Sequence, residues 1–167
     1  CHTKCDMSLP PISNAATYKA IAVEAHQNMH EYLASGRKPK IDGSNGWIVS
    51  YDPERKSFKQ ALITIVFAAM WLTAIIHILI VRHSGTHTFN KLDKNLSLEK
   101  GLRLLGCTDE ILLAAVQRLQ ISRKELAHEK AYTDAGGIKF AQDEADNAHW
   151  VIIAIEKHFF DPIKHKT

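Results

Sequence analysis

Apolar residues recur at three- and four-residue steps over three long stretches of the chain, and that spacing, together with one long uncharged apolar run, predicts helices. In the first, from about Ser13 to Ser35, Tyr18, Ile21, Ala22, Ala25, Met29, Tyr32 and Leu33 share one face, with Ser13 or Asn14 as N-cap and Gly36 as the stop. The second is expected to start at Asp52-Pro53-Glu54-Arg55 and to run to about His83. There Asp accepts from free first-turn amides and Pro is preset for the first helical position. Ser97 then caps a short helix, Leu98 to Leu105, ended by Gly106. Thr108-Asp109-Glu110 opens the next, Ile111 to about Ala131, which Asp134-Ala135-Gly136-Gly137 breaks. The last runs from about Phe140 to Phe160, before Pro162, with Trp150, Ile153, Ala154 and Lys157 along one stripe.

Between the first two long helices, Gly36, Pro39, Gly43 and Gly46 mark a loop, with a short extended piece at Trp47-Ile48-Val49. No internal repeat and no useful strand-like alternation occurs. The expected architecture is therefore an all-α bundle of about five helices, a single domain over 13–160 between tails 1–12 and 161–167. Its expected core includes Ile65, Phe67, Ala68, Leu72, Ile76, Leu112, Val116, Leu119, Trp150 and Ile153.

Ala61 to Val81 holds 21 residues without Asp, Glu, Lys or Arg, long enough to span a bilayer. Thr64, Thr73 and His77 interrupt it, and a helix surrounded by others is also apolar all round. A buried central helix is the expectation, with a membrane span at 61–81 as the alternative.

Composition narrows the class. The 167 residues are 46% hydrophobic and 23% charged, which excludes a disordered or collagen-like chain. A formal charge of +3 suits a polyanion without selecting one. Cys1, Cys5 and Cys107 cannot all pair within one chain, and the opening stretch has no apolar core of signal-peptide length, so a reducing cytoplasm is expected. Cys1, His2 and Cys5 offer soft ligands, but no second ligand pair follows at zinc-finger spacing. No metal or cofactor is expected.

Candidate chemistry is sparse. There is no phosphate-binding glycine loop, nucleophile elbow, paired CxxC or His-Glu-x-x-His. His83 and His87 have ligand spacing but Ser84-Gly85 lies between them, His77 reads as a hydrogen-bonded core residue, and His26, His30, His149 and His158 read as solvated or interfacial. What remains is Arg118-Leu-Gln-Ile-Ser-Arg123-Lys-Glu-Leu-Ala-His128-Glu-Lys-Ala-Tyr132. Counting about 100° per residue from Leu112, Val116 lies near 40°, Leu119 near −20° and Arg123 near 20°, in the middle of the apolar stripe. A guanidinium keeps its charge, so it must be paired or must face an interface or cleft. Asp143, Glu144 and Asp146 are candidate partners.

An Arg-x4-His segment late in a helix, a Gly-containing turn and one long closing helix resemble the HEPN superfamily of all-α domains, and LRLLGCTDEILLAAVQRLQ resembles the segment that leads to that motif. A second Arg-x4-His, Arg82 to His87, precedes a polar connector and is set aside. The resemblance implies a homodimer and, for active members, a metal-independent endoribonuclease. His128 would help move a proton as a ribose 2′-hydroxyl attacks the adjacent phosphate, and Arg123 would hold that phosphate. Lys124, Arg118 and Tyr132 would bind RNA or support the site. Five residues along a straight helix set Arg123 and His128 about 140° apart, so a two-fold interface or local unwinding would have to bring them together.

Active members often carry Asn, Asp or His directly after the arginine, where this chain has Lys124. Two functions follow as expectations. One is a HEPN-like endoribonuclease of a defence or toxin–antitoxin type, with RNA as substrate and an antitoxin protein as partner. The other is a non-catalytic, dimeric HEPN-like interaction or regulatory module.

Overall fold

The structure, a computed structural model, describes residues 14–35, 37–49, 54–85, 97–127 and 141–160. In chain order they form α1 (Asn14–Ser35), β1 (Arg37–Pro39), β2 (Trp47–Val49), α2 (Lys56–Ser84), α3 (Leu98–Leu104), α4 (Glu110–Ala127) and α5 (Ala141–Phe159). Among the described residues the architecture is an all-α bundle with one short hairpin. The extended piece at Trp47 finds an antiparallel partner in Arg37–Pro39, in the register Arg37↔Val49, Lys38↔Ile48 and Pro39↔Trp47.

α2 is the axis of the bundle and packs on α1, α3, α4 and α5. Its buried positions include Ala61, Ile65, Ala68, Trp71, Leu72, Ile75, Ile76 and Ile80. The large ones among them each supply about 1.5–3 kcal/mol of transfer free energy. α2 is long and apolar enough to cross a membrane, yet half of its apolar window is buried inside the bundle. Thr64 and Thr73 satisfy their hydroxyls within the helix, donating to the carbonyls of Gln60 at 2.9 Å and Ala69 at 2.8 Å. His77 is not a core residue. It is exposed on the same side of α2 as Thr73, one turn away.

The helix ends follow local chemistry. Asp52 and Pro53 lie outside the described residues, but α2 begins only at Lys56, because Arg55 before it takes a left-handed φ of 50° that a continuous helix cannot contain. The Ser97 hydroxyl accepts from the Lys100 amide at 3.2 Å and starts α3. α3 closes as a Schellman turn: Gly106, at φ 85°, donates to the Arg103 carbonyl and Cys107 donates to that of Leu102, each at 3.0 Å. Leu102 and Cys107 are both buried beneath that turn. Asp109 Oδ1 then caps α4 by accepting from the amides of Ile111 and Leu112.

α5 corrects the expected core. Its buried face is Ala141, Glu144, Ala145, Ala148, Val151, Ile152 and Ile155, whereas Trp150 and Ile153 are 42% and 52% exposed. Trp150 sits about 200° around the helix from Ala148. The first half of the inward stripe is Ala141, Glu144, Ala145 and Ala148, without the bulky residues that mark a core face in a sequence, and only Val151, Ile152 and Ile155 in the second half supply them. Phe67 is only half-buried, packed against the core with its ring 6.1 Å from that of Tyr18. The other expected core residues are buried.

Candidate functional site

Arg123 is not enclosed in the core. The buried side of α4 passes from Leu112, Leu113, Val116 and Leu119 to Ser122, and Leu126 packs against the core while Arg123 and Lys124 are exposed. By helix geometry Ser122 lies about 80° and Leu126 about 40° to one side of the line through Leu112. The inward face therefore drifts along α4, toward the start of α5, and carries Arg123 to its margin.

There Arg123 and Lys124 line a cleft of about 510 Å³ with Gln117 and Gln120 of α4, Leu98 of α3 and, from α2, Ala69. Neither cation forms an ion pair with another described residue. The cleft combines two fixed-sign charges, two side-chain amides and an apolar floor. That donor set suits an anionic group carried on a partly apolar ligand. His128 and Tyr132 lie outside the described residues, as do Cys1, His2, Cys5 and His87.

Arg118 is elsewhere, on the side of α4 facing α5. Its Nε lies 3.1 and 3.0 Å from the two carboxylate oxygens of Glu144, and Nη2 is 3.0 Å from Oε1. Glu144, one of the three candidate partners for an arginine on α4, is thus engaged by Arg118. Ser122 donates its hydroxyl to the other oxygen at 2.6 Å. The carboxylate holds the Arg118 guanidinium further toward its charged form, with Asp143 adding to the effect. A second cleft, of about 660 Å³, lies beside this pair between Ile111, Ala115, Asn147 and Trp150.

The histidines hold the arrangement that sequence reasoning missed. His26 and His30, one turn apart on α1, both present Nε2 to the same oxygen of Asp146 on α5, at 2.8 and 2.9 Å, and the two Nε2 atoms are 3.2 Å apart. His149, one turn beyond Asp146, stacks on His26 with ring centroids 3.9 Å apart and planes 12° from parallel. Burial, reinforced by the neighbouring His26, holds His149 below the usual imidazole range, against a smaller upward pull from Asp146. The available signal was the four-residue spacing in His26-Gln-Asn-Met-His30, the same spacing weighed for His83 and His87. Among the described residues these ligand atoms, Nε2 of two histidines and a carboxylate oxygen, form a group able to hold a metal ion.

No protein-family description, curated protein or solved structure matches the chain.

Proposed function

We propose that this domain binds RNA through the cleft on α4, with Arg123 and Lys124 on the phosphates, and that Arg123 and His128 form a metal-independent endoribonuclease centre. The observation that carries the proposal is the exposure of Arg123 and Lys124 side by side on one cleft wall. The resemblance of the Arg123 to His128 segment to HEPN domains supports the catalytic part. Arginine and lysine supply the sequence-independent share of nucleic-acid affinity. Unstacked bases stack on arginine planes and hydrogen-bond through their edges, contacts that Arg123, Gln117 and Gln120 can offer.

In the proposed reaction the ribose O2′ forms a bond to the adjacent phosphorus, and the bond to the leaving O5′ breaks. The proton leaves O2′ and one is returned to O5′, with His128 serving this transfer near neutral pH. Arg123 stabilises the extra negative charge on the phosphoryl oxygens. A two-fold homodimer, placed in the cytoplasm, would bring Arg123 and His128 of different copies together.

The test uses a varied RNA pool and a DNA strand of matching sequence in the presence of EDTA at near-neutral pH. RNA should be cut, DNA spared, and His128→Ala should abolish cutting while leaving RNA binding largely intact. An uncut RNA pool, or a His128→Ala protein that cuts as well as the wild type, refutes the nuclease. Sedimentation equilibrium at micromolar concentration tests the dimer, and a strict monomer refutes the two-copy centre. Recovery of the protein only in detergent would refute the cytoplasmic placement.

A second function, a non-catalytic interaction module, is favoured by one observation. Ile111 and Trp150 are 74% and 42% exposed on one cleft between α4 and α5 that Arg118, Asp143 and Asp146 also line, an exposed apolar pair with charged neighbours, as at the polar-rimmed surfaces that bind proteins. It takes precedence if the protein binds RNA without cutting it.

A further inference from the structure

We propose that His26, His30 and Asp146 form a binding site for a divalent first-row transition metal, of the zinc type, that clamps α1 to α5. The proposal is independent of the RNA-binding cleft, to which α2, α3 and α4 contribute, whereas this cluster is built from α1 and α5.

The geometry comes from three atoms. His26 Nε2, His30 Nε2 and Asp146 Oδ1 form a triangle with sides of 2.8, 2.9 and 3.2 Å. A point about 1.1 Å off its plane lies about 2.05 Å from all three, the bond length of zinc to imidazole nitrogen and carboxylate oxygen. The angles at that point are about 86°, 90° and 103°, between octahedral and tetrahedral values. The nitrogen–nitrogen edge already nearly matches two zinc bonds at the tetrahedral angle. The two oxygen edges are short, and a withdrawal of the Asp146 carboxylate by about half an ångström completes the match. Asp146 has room to make it, being 50% exposed.

The chemistry selects the class of ion. Two neutral imidazoles and one carboxylate are borderline donors, which suit zinc and its first-row neighbours and discriminate against magnesium and calcium, whose ligands are oxygens. Three protein ligands leave further coordination positions to water, reached from the side on which His30 is 50% exposed. His26 is only 13% exposed, and the stacked His149 ring fixes its plane, so one ligand is held in orientation before any ion arrives. The competing structure is a proton-bonded cluster in which both rings donate Nε2–H to Asp146. It needs a proton on each of two nitrogens 3.2 Å apart, whereas in the metal-bound form each neutral ring carries its proton on Nδ1 and both Nε2 lone pairs meet one cation.

The experiment uses the full chain, stripped with EDTA, dialysed and titrated with Zn²⁺ by calorimetry, with Co²⁺ absorption as a second readout. One equivalent should bind at micromolar concentration or tighter. His30→Ala and Asp146→Asn, both at half-exposed positions, should each weaken binding by at least about tenfold with the helical circular dichroism unchanged. Cys5→Ser removes a ligand from the other candidate set, Cys1, His2 and Cys5, and should leave the affinity as it was. Failure to bind micromolar Zn²⁺, unaltered affinity in both cluster variants, or loss of binding in Cys5→Ser would each overturn the proposal.

Discussion

Arg118 and Glu144 join α4 to α5 through three nitrogen–oxygen contacts of 3.0–3.1 Å, although the guanidinium is 50% exposed and the carboxylate only 4%. The pair is asymmetric. Water can still solvate the arginine, but the buried carboxylate takes protein partners, Arg118 and Ser122 among them. Arg118→Ala should therefore cost about 2–3 kcal/mol, below the roughly 3–5 kcal/mol of a fully buried pair because one member is half in water. Urea denaturation measures it, and a loss within about 0.5 kcal/mol of zero would mean that the pair does not anchor α5.

Arg123 and Lys124 should behave oppositely. Arg123→Ala and Lys124→Ala are expected to shift stability by no more than about 0.5 kcal/mol, since both side chains are exposed. Each should lower the salt slope of single-stranded RNA binding by about 0.7 if it contacts one phosphate. Filter binding over a salt series reads the slope, and a slope unchanged in the double variant would remove the cleft from RNA binding.

The contrast between a buried position of α4 and an outward one of α5 gives a packing test. Leu119→Ala, at a fully buried position on α4, should cost about 2–5 kcal/mol, as deletion of a core leucine does. Ile153→Ala, at a position 52% exposed, should cost well under half as much. Chemical denaturation of the two variants side by side decides this, and equal losses would place Ile153 in the core after all.

The α3–α4 corner is expected to respond to acid. Arg103 donates to Glu110 at 2.9 and 3.0 Å and holds its carboxyl below the usual carboxylate range. Because the folded value lies below the unfolded value of about 4.3, the contribution is present above that pH and is lost as pH falls through the folded value. The stability difference between wild type and Glu110→Gln should thus shrink as the solution is acidified below about pH 4. Carbon-detected titration of Glu110 offers a direct check: Arg103→Ala should bring its midpoint back up, and an unmoved midpoint would leave the pairing without effect.

Much of the fold was legible because it rests on local chemistry. The uncharged run from Ala61 to Val81 is too long for a strand and marks a helix whatever it packs on, and Ser97, Gly106 and Asp109 act within a few residues of themselves. The start of α2 was misplaced because the left-handed backbone at Arg55 overrides the strong helix-start pattern of Asp52 and Pro53. Arg37–Pro39 gave no strand signal because a three-residue strand is defined by its partner.

By itself, the sequence determined the helices, the central role of the apolar run in α2, and the presence of an arginine and lysine pair near the end of α4. Only the tertiary structure decided which faces turn inward. On α5 Ala145, Ala148, Ile152 and Ile155 face in and Trp150 faces out, since the face that turns inward is set by where the neighbouring helices lie and not by which residues are largest. The shift of the buried face toward Ser122 exposes Arg123 and gives Glu144 to Arg118 instead. His26 and Asp146 are 120 positions apart, and no periodicity in either helix specifies their meeting. Spacing along a chain reports what one helix can present, while the contact between two helices depends on the packing of both.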